Sequence, residues 1–414
     1  MSHPIATAEQ HARELDAVEL TQHPTVQKAY REVHAHWLRA MDPTQVMREC
    51  FDAAFEEVMF SAAVWSSNQD PLRPGISTIT RLAHPLDGVQ IPGSRWGIDN
   101  PDSIYRVIPI SGDERYVIRG RVGKNRMTEN YFTLWDPNMG TVDVCNGSTL
   151  QLDSDGSFEI TVSSEPANGD PNHVQSSPEA HEFYIRDVIL HWDKDDPNWL
   201  EVERLGPAPR KPAMSRDEQA ELTAKFMLHY ADFTTSLSKG TFRRRANDFS
   251  LAVSGDTTGM LRNQVYVGGH FKLEEDEAFL ITVNDGGAAY FTVPMANVWG
   301  TTLDILDRTS SLNKAQSKPN PDGTFTYVLC ARDPGVHNWL DTCGFLEGML
   351  TLRMAEFPDQ RPRDDLSANG EVIKLADLDD RLPDGTARVD EEEREAQRAA
   401  RAASYLRRLP ELQA

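Results

Sequence analysis

The spacing of hydrophobic residues changes along this chain, and the change limits the folds that the chain can adopt. Up to about residue 70, apolar side chains recur at steps of three and four, as on one face of an α-helix. From about residue 76 to 205, and again from about 265 to 355, they recur at every second position. That repeat is typical of β-strands with one buried face, and the turn-rich segments between them favour antiparallel sheets.

A proline-rich linker follows the first β region and leads into a run that begins with Ser215 and Glu218. This spacing is that of a capping box and predicts a helix. The length of 414 residues suits two domains. We therefore predict an α+β, β-rich fold with antiparallel sandwich or jelly-roll-like sheets. Its expected segments are an N-terminal helical region (1–75), a first β-rich domain (76–206), a linker with a helical insert (207–245), a C-terminal β-rich domain (246–358), and an acidic loop with a charged helix that has few apolar positions (359–414).

The net charge of the chain limits the classes of molecule that it is expected to bind. With 64 acidic and 42 basic residues, the net charge is -22, which disfavours nucleic acids and anionic membranes. The sequence shows no apolar run of membrane-spanning length and no signal-peptide pattern. Its four cysteines are scattered, as is usual for free thiols. We expect a cytoplasmic protein with a small-molecule partner, without nucleic-acid or membrane partners, and we leave a homo-oligomer open.

The segment "DPGVHNWLDTCG" (333–344) holds more polar and aromatic groups than a turn between two strands requires. A carboxylate that orients an imidazole is a common arrangement for acid–base catalysis, so His337 and Asp341 are candidate catalytic residues. Asn338 and Trp339 are candidate substrate-binding residues. The alternative is structural: Asp341 would cap the turn and His337 would be exposed to solvent.

A second polar cluster, "DNPDSIYR" (99–106), stands at the start of a predicted strand. Asp102 and Tyr105 are further candidate catalytic residues, and Arg106 is a candidate substrate-binding residue. An ordinary turn into a strand explains the same residues. Since these two clusters are the densest in the chain, we expect Asp102, Tyr105 and Arg106 to lie within reach of the 333–344 loop. Trp135 belongs to an aromatic stripe that forms either a pocket wall or part of the core.

The chain resembles a family of bacterial proteins. Its segments "NPDSIYRVIPISGDERYVIRGRVG" and "NPDGTFTYVLCARDPGVHNWLDTCGFLEGMLTLR" are similar to the domain-of-unknown-function 1214 family, which is often partnered by a 1254-type domain. The resemblance covers about residues 90 to 355 and implies a β-rich, jelly-roll-like pair of domains. It implies no settled reaction and no established catalytic residues. Its most specific matches are Asn320, Pro321, Asp322, Gly323, Asn338, Trp339, Leu340, Gly344 and Arg353.

Motifs of several enzyme classes are missing from the sequence. We find no GxSxG, HExxH, Walker or Rossmann motif, and we expect neither a metal nor a cofactor. The leading hypothesis is a cofactor-independent lyase, dehydratase, isomerase or hydrolase. Its substrate would be a small, largely apolar molecule with a hydroxyl or carbonyl group, such as a terpenoid, steroid or aromatic. The expected roles are Asp341 or Asp102 as base, His337 or Tyr105 as acid, Arg106 or Asn338 as oxyanion donor, and Trp135 and Trp339 as pocket walls.

The alternative hypothesis is a β-sandwich that binds a carbohydrate or another small ligand without catalysis. Tryptophan rings on an open face would serve as its platforms, whereas rings around a closed cavity would favour the enzyme. The candidate platforms are Trp135, Trp192, Trp199 and Trp339.

Overall fold

The structure is a computed structural model that describes residues 3–248, 250–253 and 264–413. Residues 249 and 254–263, which belong to the predicted C-terminal domain, lie outside this description. The N-terminal helices are α1 (Ala8–Thr21), α2 (Pro24–Met41), α3 (Gln45–Glu49) and α4 (Phe51–Ser66). The helical insert is α5 (Arg216–Phe242), and its capping box of Ser215 and Glu218 is confirmed. None of the helices described is long and apolar enough to cross a membrane.

The first β region folds into two packed sheets. Its five-stranded sheet has the order β1 (Ser77–Thr78), β4 (Ser103–Pro109), β10 (Glu182–Val188), β6 (Glu129–Trp135) and β7 (Thr141–Asn146). Its four-stranded sheet has the order β11 (Trp199–Leu205), β5 (Arg115–Arg121), β8 (Ser157–Ser163) and β9 (His173–Gln175). A separate hairpin is formed by β2 (His84–Leu86) and β3 (Val89–Ile91).

The second β region also folds into two packed sheets. Its five-stranded sheet has the order β12 (Ser250–Val253), β13 (Gln264–Lys272), β19 (Glu347–Ala355), β15 (Tyr290–Ala296) and β16 (Ser311–Asn313). Its four-stranded sheet has the order β18 (Trp339–Asp341), β17 (Phe325–Cys330), β14 (Glu277–Asn284) and β20 (Ser367–Lys374). The chain then forms α6 (Leu378–Arg381) and α7 (Glu391–Leu406).

The two sandwiches have the same topology. Each has nine strands among the described residues when the β2–β3 hairpin is set aside. Numbered in chain order within its own sandwich, each five-stranded sheet runs 1-2-8-4-5 and each four-stranded sheet runs 9-3-6-7. Both sandwiches also pair strands 6 and 7 in parallel, while their long neighbouring strands pair antiparallel. The predicted α+β, β-rich fold with antiparallel sheets is therefore confirmed.

Apolar side chains fill the interior of each sandwich. A further core lies outside the first sandwich, where α2, α4 and α5 cover the outward face of its five-stranded sheet. Trp37 and Trp65 on the helices belong to this core together with Tyr105 and Trp135 on the strands. The helices therefore enclose the sheet face that carries two of the residues singled out from the sequence.

The segment after residue 358 differs from the prediction in two ways. Strand β20 completes the second sandwich by pairing with β14, although we predicted a loop there. It is an edge strand with mostly exposed polar residues, so it lacks the alternation that identifies a strand. Helix α7 is charged as predicted, but it packs on the protein through arginines: the Arg401 guanidinium donates to the carbonyl oxygens of Ile305 and Ser311, both at 2.8 Å. Apolar patterning does not detect such a contact.

Candidate functional site

Two Tyr–Arg pairs occupy equivalent positions in the two sandwiches. In the first, Tyr105 on β4 stands opposite Arg186 on β10. In the second, Tyr266 on β13 stands opposite Arg353 on β19. Each arginine lies two residues before the paired end of its strand, on the outward face of the five-stranded sheet. The same pair of side chains, a tyrosine and an arginine, therefore occurs at the same place in both sandwiches.

These pairs meet between the sandwiches. The Arg353 Nη1 atom lies 3.5 Å from the Tyr105 hydroxyl oxygen, and Nη2 donates to the carbonyl oxygen of Ile98 at 2.7 Å. The same guanidinium lies 5.8 Å from the centre of the Tyr266 ring. Tyr105 is held further by the backbone N–H of Asn100, which donates to its hydroxyl at 3.1 Å. An arginine of one sandwich therefore contacts tyrosines of both.

Glu129, the first residue of β6, is buried beside the two pairs. Its Oε1 accepts a hydrogen bond of 2.7 Å from the Gln264 side chain, which again joins the two sandwiches. Burial, and after it the nearby Glu356 carboxyl, raise the pKa of Glu129 to about 8, although Arg186 and Arg353 oppose the shift. We call Tyr105, Glu129, Arg186, Tyr266 and Arg353 the Tyr–Arg site.

A small cavity of about 20 Å³ lies within the Tyr–Arg site, and Glu129, Arg186, Tyr266 and Arg353 are among its lining residues. It is large enough for a water molecule. Arg186, Tyr266 and Arg353 remain half-buried, so the solvent reaches part of each side chain. Burial raises the pKa of Tyr266, and its phenol therefore stays protonated, as a hydrogen-bond donor, at neutral pH.

Stacked aromatic rings extend from the Tyr–Arg site towards α4 and α5. The Arg186 guanidinium lies 4.6 Å from the centre of the Tyr184 ring, and that ring stacks on Trp135 at 4.2 Å. Trp65 stacks on the same tyrosine at 5.7 Å. Beyond it, Trp96 stacks on the Tyr230 ring of α5 at 3.8 Å. We call Trp65, Trp96, Trp135, Tyr184 and Tyr230 the aromatic wall.

Asp102 lies next to this site as a link between the sandwiches. One carboxylate oxygen accepts hydrogen bonds from Trp192 at 2.7 Å and Asn313 at 2.8 Å, and the other accepts one from the Tyr290 hydroxyl at 2.8 Å. Trp192 belongs to the first sandwich region, whereas Tyr290 and Asn313 belong to strands of the second. Both oxygens of Asp102 are thus occupied by contacts that join the sandwiches, and its role as a base stays a prediction.

Arg106 lies on the opposite face of β4 from Tyr105, as the alternation of a strand requires. It is buried inside the first sandwich, where its guanidinium forms an ion pair with Asp187 and donates to the carbonyl oxygen of Asn198 at 2.8 Å. It does not reach the Tyr–Arg site. Arg106 and Tyr105 therefore do not share a site, and the role of Arg106 as an oxyanion donor stays a prediction.

The 333–344 loop packs against α7. Asp341 is buried, accepts a hydrogen bond of 2.9 Å from the backbone N–H of Cys343, and lies 3.3 Å from the Arg308 guanidinium. His337 instead has its Nδ1 atom 3.1 Å from Asn338 Oδ1. No hydrogen bond joins His337 to Asp341 in the part of the chain that the structure describes. The predicted imidazole–carboxylate pair is not formed.

The other two candidates of the loop, Asn338 and Trp339, also make contacts within the protein. The Asn338 side chain donates to the carbonyl oxygens of Lys318 and Thr326, at 2.8 and 3.1 Å. The Trp339 ring is buried under α7, where the guanidinium of Arg394 lies 5.1 Å from its centre. These contacts explain why the 333–344 loop carries polar and aromatic residues, because they attach the C-terminal helix to the second sandwich.

The structure separates the two polar clusters that we expected to share a site. Arg394, near the start of α7, binds Asp333 of the loop at 2.8 Å, whereas Arg408, just beyond its end, donates to the carbonyl oxygen of Pro101 at 2.7 Å. Fourteen residues of helix span about 21 Å. His337 lines a different cleft, of about 400 Å³, together with Trp192 and Arg401. Of the residues predicted from the sequence, Tyr105 belongs to the Tyr–Arg site, Trp135 belongs to the aromatic wall, and Asp102 lies beside them.

Four residues of the Tyr–Arg site were not proposed as site residues from the sequence: Glu129, Arg186, Tyr266 and Arg353. Each lies on an alternating strand, where a polar residue is expected to face solvent. Arg186, Tyr266 and Arg353 could have been identified by the repeat of a tyrosine and an arginine at matching places in the two sandwiches, but that repeat is visible only once the topology is known. No such signal marks Glu129. Among the described residues, no cluster of three or more His, Cys, Asp or Glu side chains could hold a metal ion.

Asp341→Asn is expected to lower the free energy of unfolding by about 1 to 2 kcal/mol, because the neutral side chain loses its attraction to Arg308. Urea denaturation followed by fluorescence measures this change. Asp364→Asn is the matched control, since Asp364 is exposed and its substitution should change stability by less than about 0.5 kcal/mol. Equal stability of the two variants would contradict a structural role for Asp341.

The chain resembles solved structures whose functions are not described. An uncharacterized protein from Burkholderia cenocepacia aligns with 87% of this chain and 99% of its own, at 23% identity and a TM-score of 0.73. A protein from Vibrio parahaemolyticus aligns with 78% of this chain and 98% of its own, at 11% identity and a TM-score of 0.42. The first similarity shows a shared fold. No protein-family model matches the chain. No curated protein matches it either.

Proposed function

We propose that this chain is an enzyme that transfers protons on a small, largely apolar molecule with a carbonyl or hydroxyl group, and that the Tyr–Arg site carries the reaction. The observation that supports this most is Glu129, a buried carboxyl whose pKa of about 8 lies near neutrality, beside two arginines and two tyrosines. Acid–base groups work best when their pKa is close to the working pH. The resemblance to the family of unknown function remains a prediction and assigns no reaction.

The arrangement suits proton removal next to a carbonyl group. In its ionised form, Glu129 would accept the proton as the C–H bond breaks, and the electron pair would move to the carbonyl oxygen. The guanidinium of Arg353 or Arg186 would then stabilise the developing oxyanion. Return of the proton from Glu129 to a different carbon gives an isomer. When Glu129 first exchanges its proton with solvent, return to the same carbon gives an exchanged substrate.

Proton exchange with solvent deuterium tests this proposal without knowledge of the natural substrate. We expect the wild-type protein to catalyse deuterium incorporation next to the carbonyl of some member of a panel of small aromatic and alicyclic ketones and 2-oxo acids, measured by proton NMR in D₂O. Glu129→Gln should lower that rate by about 10²-fold or more, the scale for loss of one acid–base group.

The matched control is Glu182→Gln, because burial also raises the pKa of Glu182, to about 7. Its carboxylate is held by Trp65 at 2.8 Å at the other end of β10, away from the Tyr–Arg site. We expect this variant to retain the exchange rate. Loss of exchange in Glu182→Gln together with an unaffected Glu129→Gln would show that the wrong carboxyl has been assigned.

A ligand-binding protein without catalysis is the second candidate, and Trp199 favours it. Of the four predicted platform residues, Trp135, Trp192 and Trp339 are buried, but Trp199 is half-buried and lines a surface groove of about 550 Å³. Arg121 stands opposite it on the neighbouring strand and lines the same groove. The exchange measurement separates the two candidates, because a binding protein gives no deuterium incorporation.

A further inference from the structure

We infer that the surface groove at Trp199 binds a neutral sugar, whose ring stacks on the indole while its hydroxyl groups bind the charged side chains beside it. The inference rests on the second candidate function for the location of the groove, and it adds the chemical class of the ligand. The groove is separate from the Tyr–Arg site, because it lies at Arg106, which faces the other side of β4 from Tyr105.

The groove lies at an open edge of the first sandwich. Strand β11 ends the four-stranded sheet and β1 ends the five-stranded sheet, so neither has a further neighbour among the described strands. Residues of both strands line the groove, together with the segment that leads into α1. Its volume of about 550 Å³ lies within the range of about 300 to 1,000 Å³ that is usual for small-molecule sites. The groove therefore has room for a sugar.

Trp199 presents a flat apolar surface to this groove. It is half-buried on the face of the sheet that is turned away from the sandwich interior, next to the exposed Arg121 on β5. Among the described residues, no aromatic ring or guanidinium stacks on the indole, and its N–H has no hydrogen-bond partner. The C–H groups on one face of a pyranose ring pack against such a surface, and the indole N–H can donate to a hydroxyl group.

Charged side chains of both signs stand beside Trp199. Arg121 lies opposite it on β5, and Glu201 lies two residues further along β11 on the same face. Neither side chain has an ion pair or a hydrogen bond within the part of the chain that the structure describes. Asp155 also lines the groove, and hydrogen bonds from Ser157, together with the charge of Arg121, lower its pKa. Both donors and acceptors are therefore available to a ligand.

The other charged residues of the groove already have partners within the protein. Their ion pairs join Glu9 to Arg13, Arg106 to Asp187, and Arg119 to both Glu159 and Glu203. The groups without an ion pair are thus Arg121, Asp155 and Glu201. Two carboxylates would repel an anionic ligand, and the arginine opposite the indole would repel a cationic one. A neutral ligand with several hydroxyl groups can bind groups of either sign, because each hydroxyl both donates and accepts.

Matched ring compounds test the inference in the full-length wild-type protein. The methyl pyranosides of glucose, galactose and mannose are neutral and rich in hydroxyl groups. Glucuronate adds a negative charge, glucosamine adds a positive charge, and cyclohexanol keeps a six-membered ring with one hydroxyl. By saturation-transfer difference NMR, we expect at least one methyl pyranoside to bind about 5-fold or more tightly than each of these three. Absence of binding by all the pyranosides, or equal binding of any one of the three comparison compounds, would overturn the inference.

Trp199→Ala assigns the binding to the indole. It should weaken binding of the pyranoside by about 10-fold or more, because the stacking surface is lost. Leu205→Ala is the matched control, since Leu205 is an apolar residue, 39% exposed, at the other end of β11 on the same face. It should bind the pyranoside as the wild type does. Unchanged binding in Trp199→Ala, with melting temperatures showing that both variants are folded, would overturn the inference.

Arg121→Gln tests the charged side chain opposite the indole. It should weaken binding of the pyranoside by about 5-fold, because hydrogen bonds from a guanidinium are stronger than those from a neutral amide. Arg115→Gln is the matched control, since Arg115 lies at the other end of β5 on the same face. Equal binding by the two variants would contradict the position of the sugar beside Arg121.

The proposed function and the sugar site fail independently, because they concern two different sites. If a pyranoside binds as expected, but no ketone or 2-oxo acid exchanges its protons, the acid–base function is wrong and the sugar site stands. If exchange occurs at Glu129 and no pyranoside binds, the acid–base function stands and the sugar site is wrong. Trp199→Ala should leave the exchange rate as it is in the wild type.

Discussion

Asp102→Ala is expected to lower the free energy of unfolding by about 5 kcal/mol, because it removes three hydrogen bonds to one buried carboxylate. Each bond to a charged group is worth about 1.5 to 3 kcal/mol, and the donors of Trp192, Tyr290 and Asn313 would be left buried without their acceptor. Since these donors come from both sandwiches, the substitution weakens the interface between the two sandwiches. Guanidinium denaturation followed by tryptophan fluorescence measures the change.

Asp102→Asn is the matched control, because asparagine keeps the size and shape of the aspartate side chain. Its amide oxygen can still accept hydrogen bonds from Trp192 and Asn313, and its amide nitrogen can donate to the Tyr290 hydroxyl. We expect this variant to lose only about 1 to 2 kcal/mol. If Asp102→Asn abolished deuterium exchange while Asp102→Ala left stability unchanged, the residue would be catalytic rather than structural.

The pH dependence of stability should report the state of Glu129. Its pKa is about 8 in the folded protein and near 4.5 when unfolded, so the folded state retains a proton that the unfolded state releases between these values. Stability therefore falls as the pH rises from about 4.5 to about 8, and it levels off above that range. At about 1.4 kcal/mol for each pKa unit, the loss from this residue is at most roughly 5 kcal/mol.

Glu129→Gln isolates this contribution. The amide oxygen can still accept from Gln264, but the side chain no longer titrates. Relative to the wild type, the variant should gain stability by several kcal/mol at pH 8.5 and differ little at pH 4.5, as measured by urea denaturation at both values. Glu182 titrates in both proteins and cancels in the difference. A constant difference at both pH values would contradict the raised pKa of Glu129.

The class of fold could be predicted from the sequence, because apolar residues recur at different spacings in helices and in half-buried strands. The sequence also identified the capping box at Ser215. The sequence did not predict β20, because a strand at a sheet edge can be mostly exposed and then lacks an apolar face. It also did not predict the packing of α7, because arginine hydrogen bonds to backbone carbonyls hold that helix. In both cases the contact that fixes the element involves groups that hydrophobic patterning does not count.

The site was harder to predict because its residues are dispersed over strands of two domains. Tyr105 was proposed from a dense polar cluster and lies in the site, whereas His337 and Asp341 were proposed from a denser one and do not. Polar residues cluster in a sequence wherever the backbone needs polar contacts. Such places include turns that hold a helix against the protein, as well as functional sites. Glu129 became significant only once its burial, and its position near two arginines, were known.

The repeated strand order suggests a history for the site. Fusion of two copies of one ancestral sandwich produces such a chain, and a homodimer joined along its two-fold axis would have placed both Tyr–Arg pairs at the subunit boundary. In a homodimer, every substitution appears twice. After fusion, the first position of the fourth strand could become Glu129 in one half and Tyr290 in the other. A single proton-bearing group could thus arise on one side of a duplicated cationic surface, an asymmetry that identical subunits do not permit.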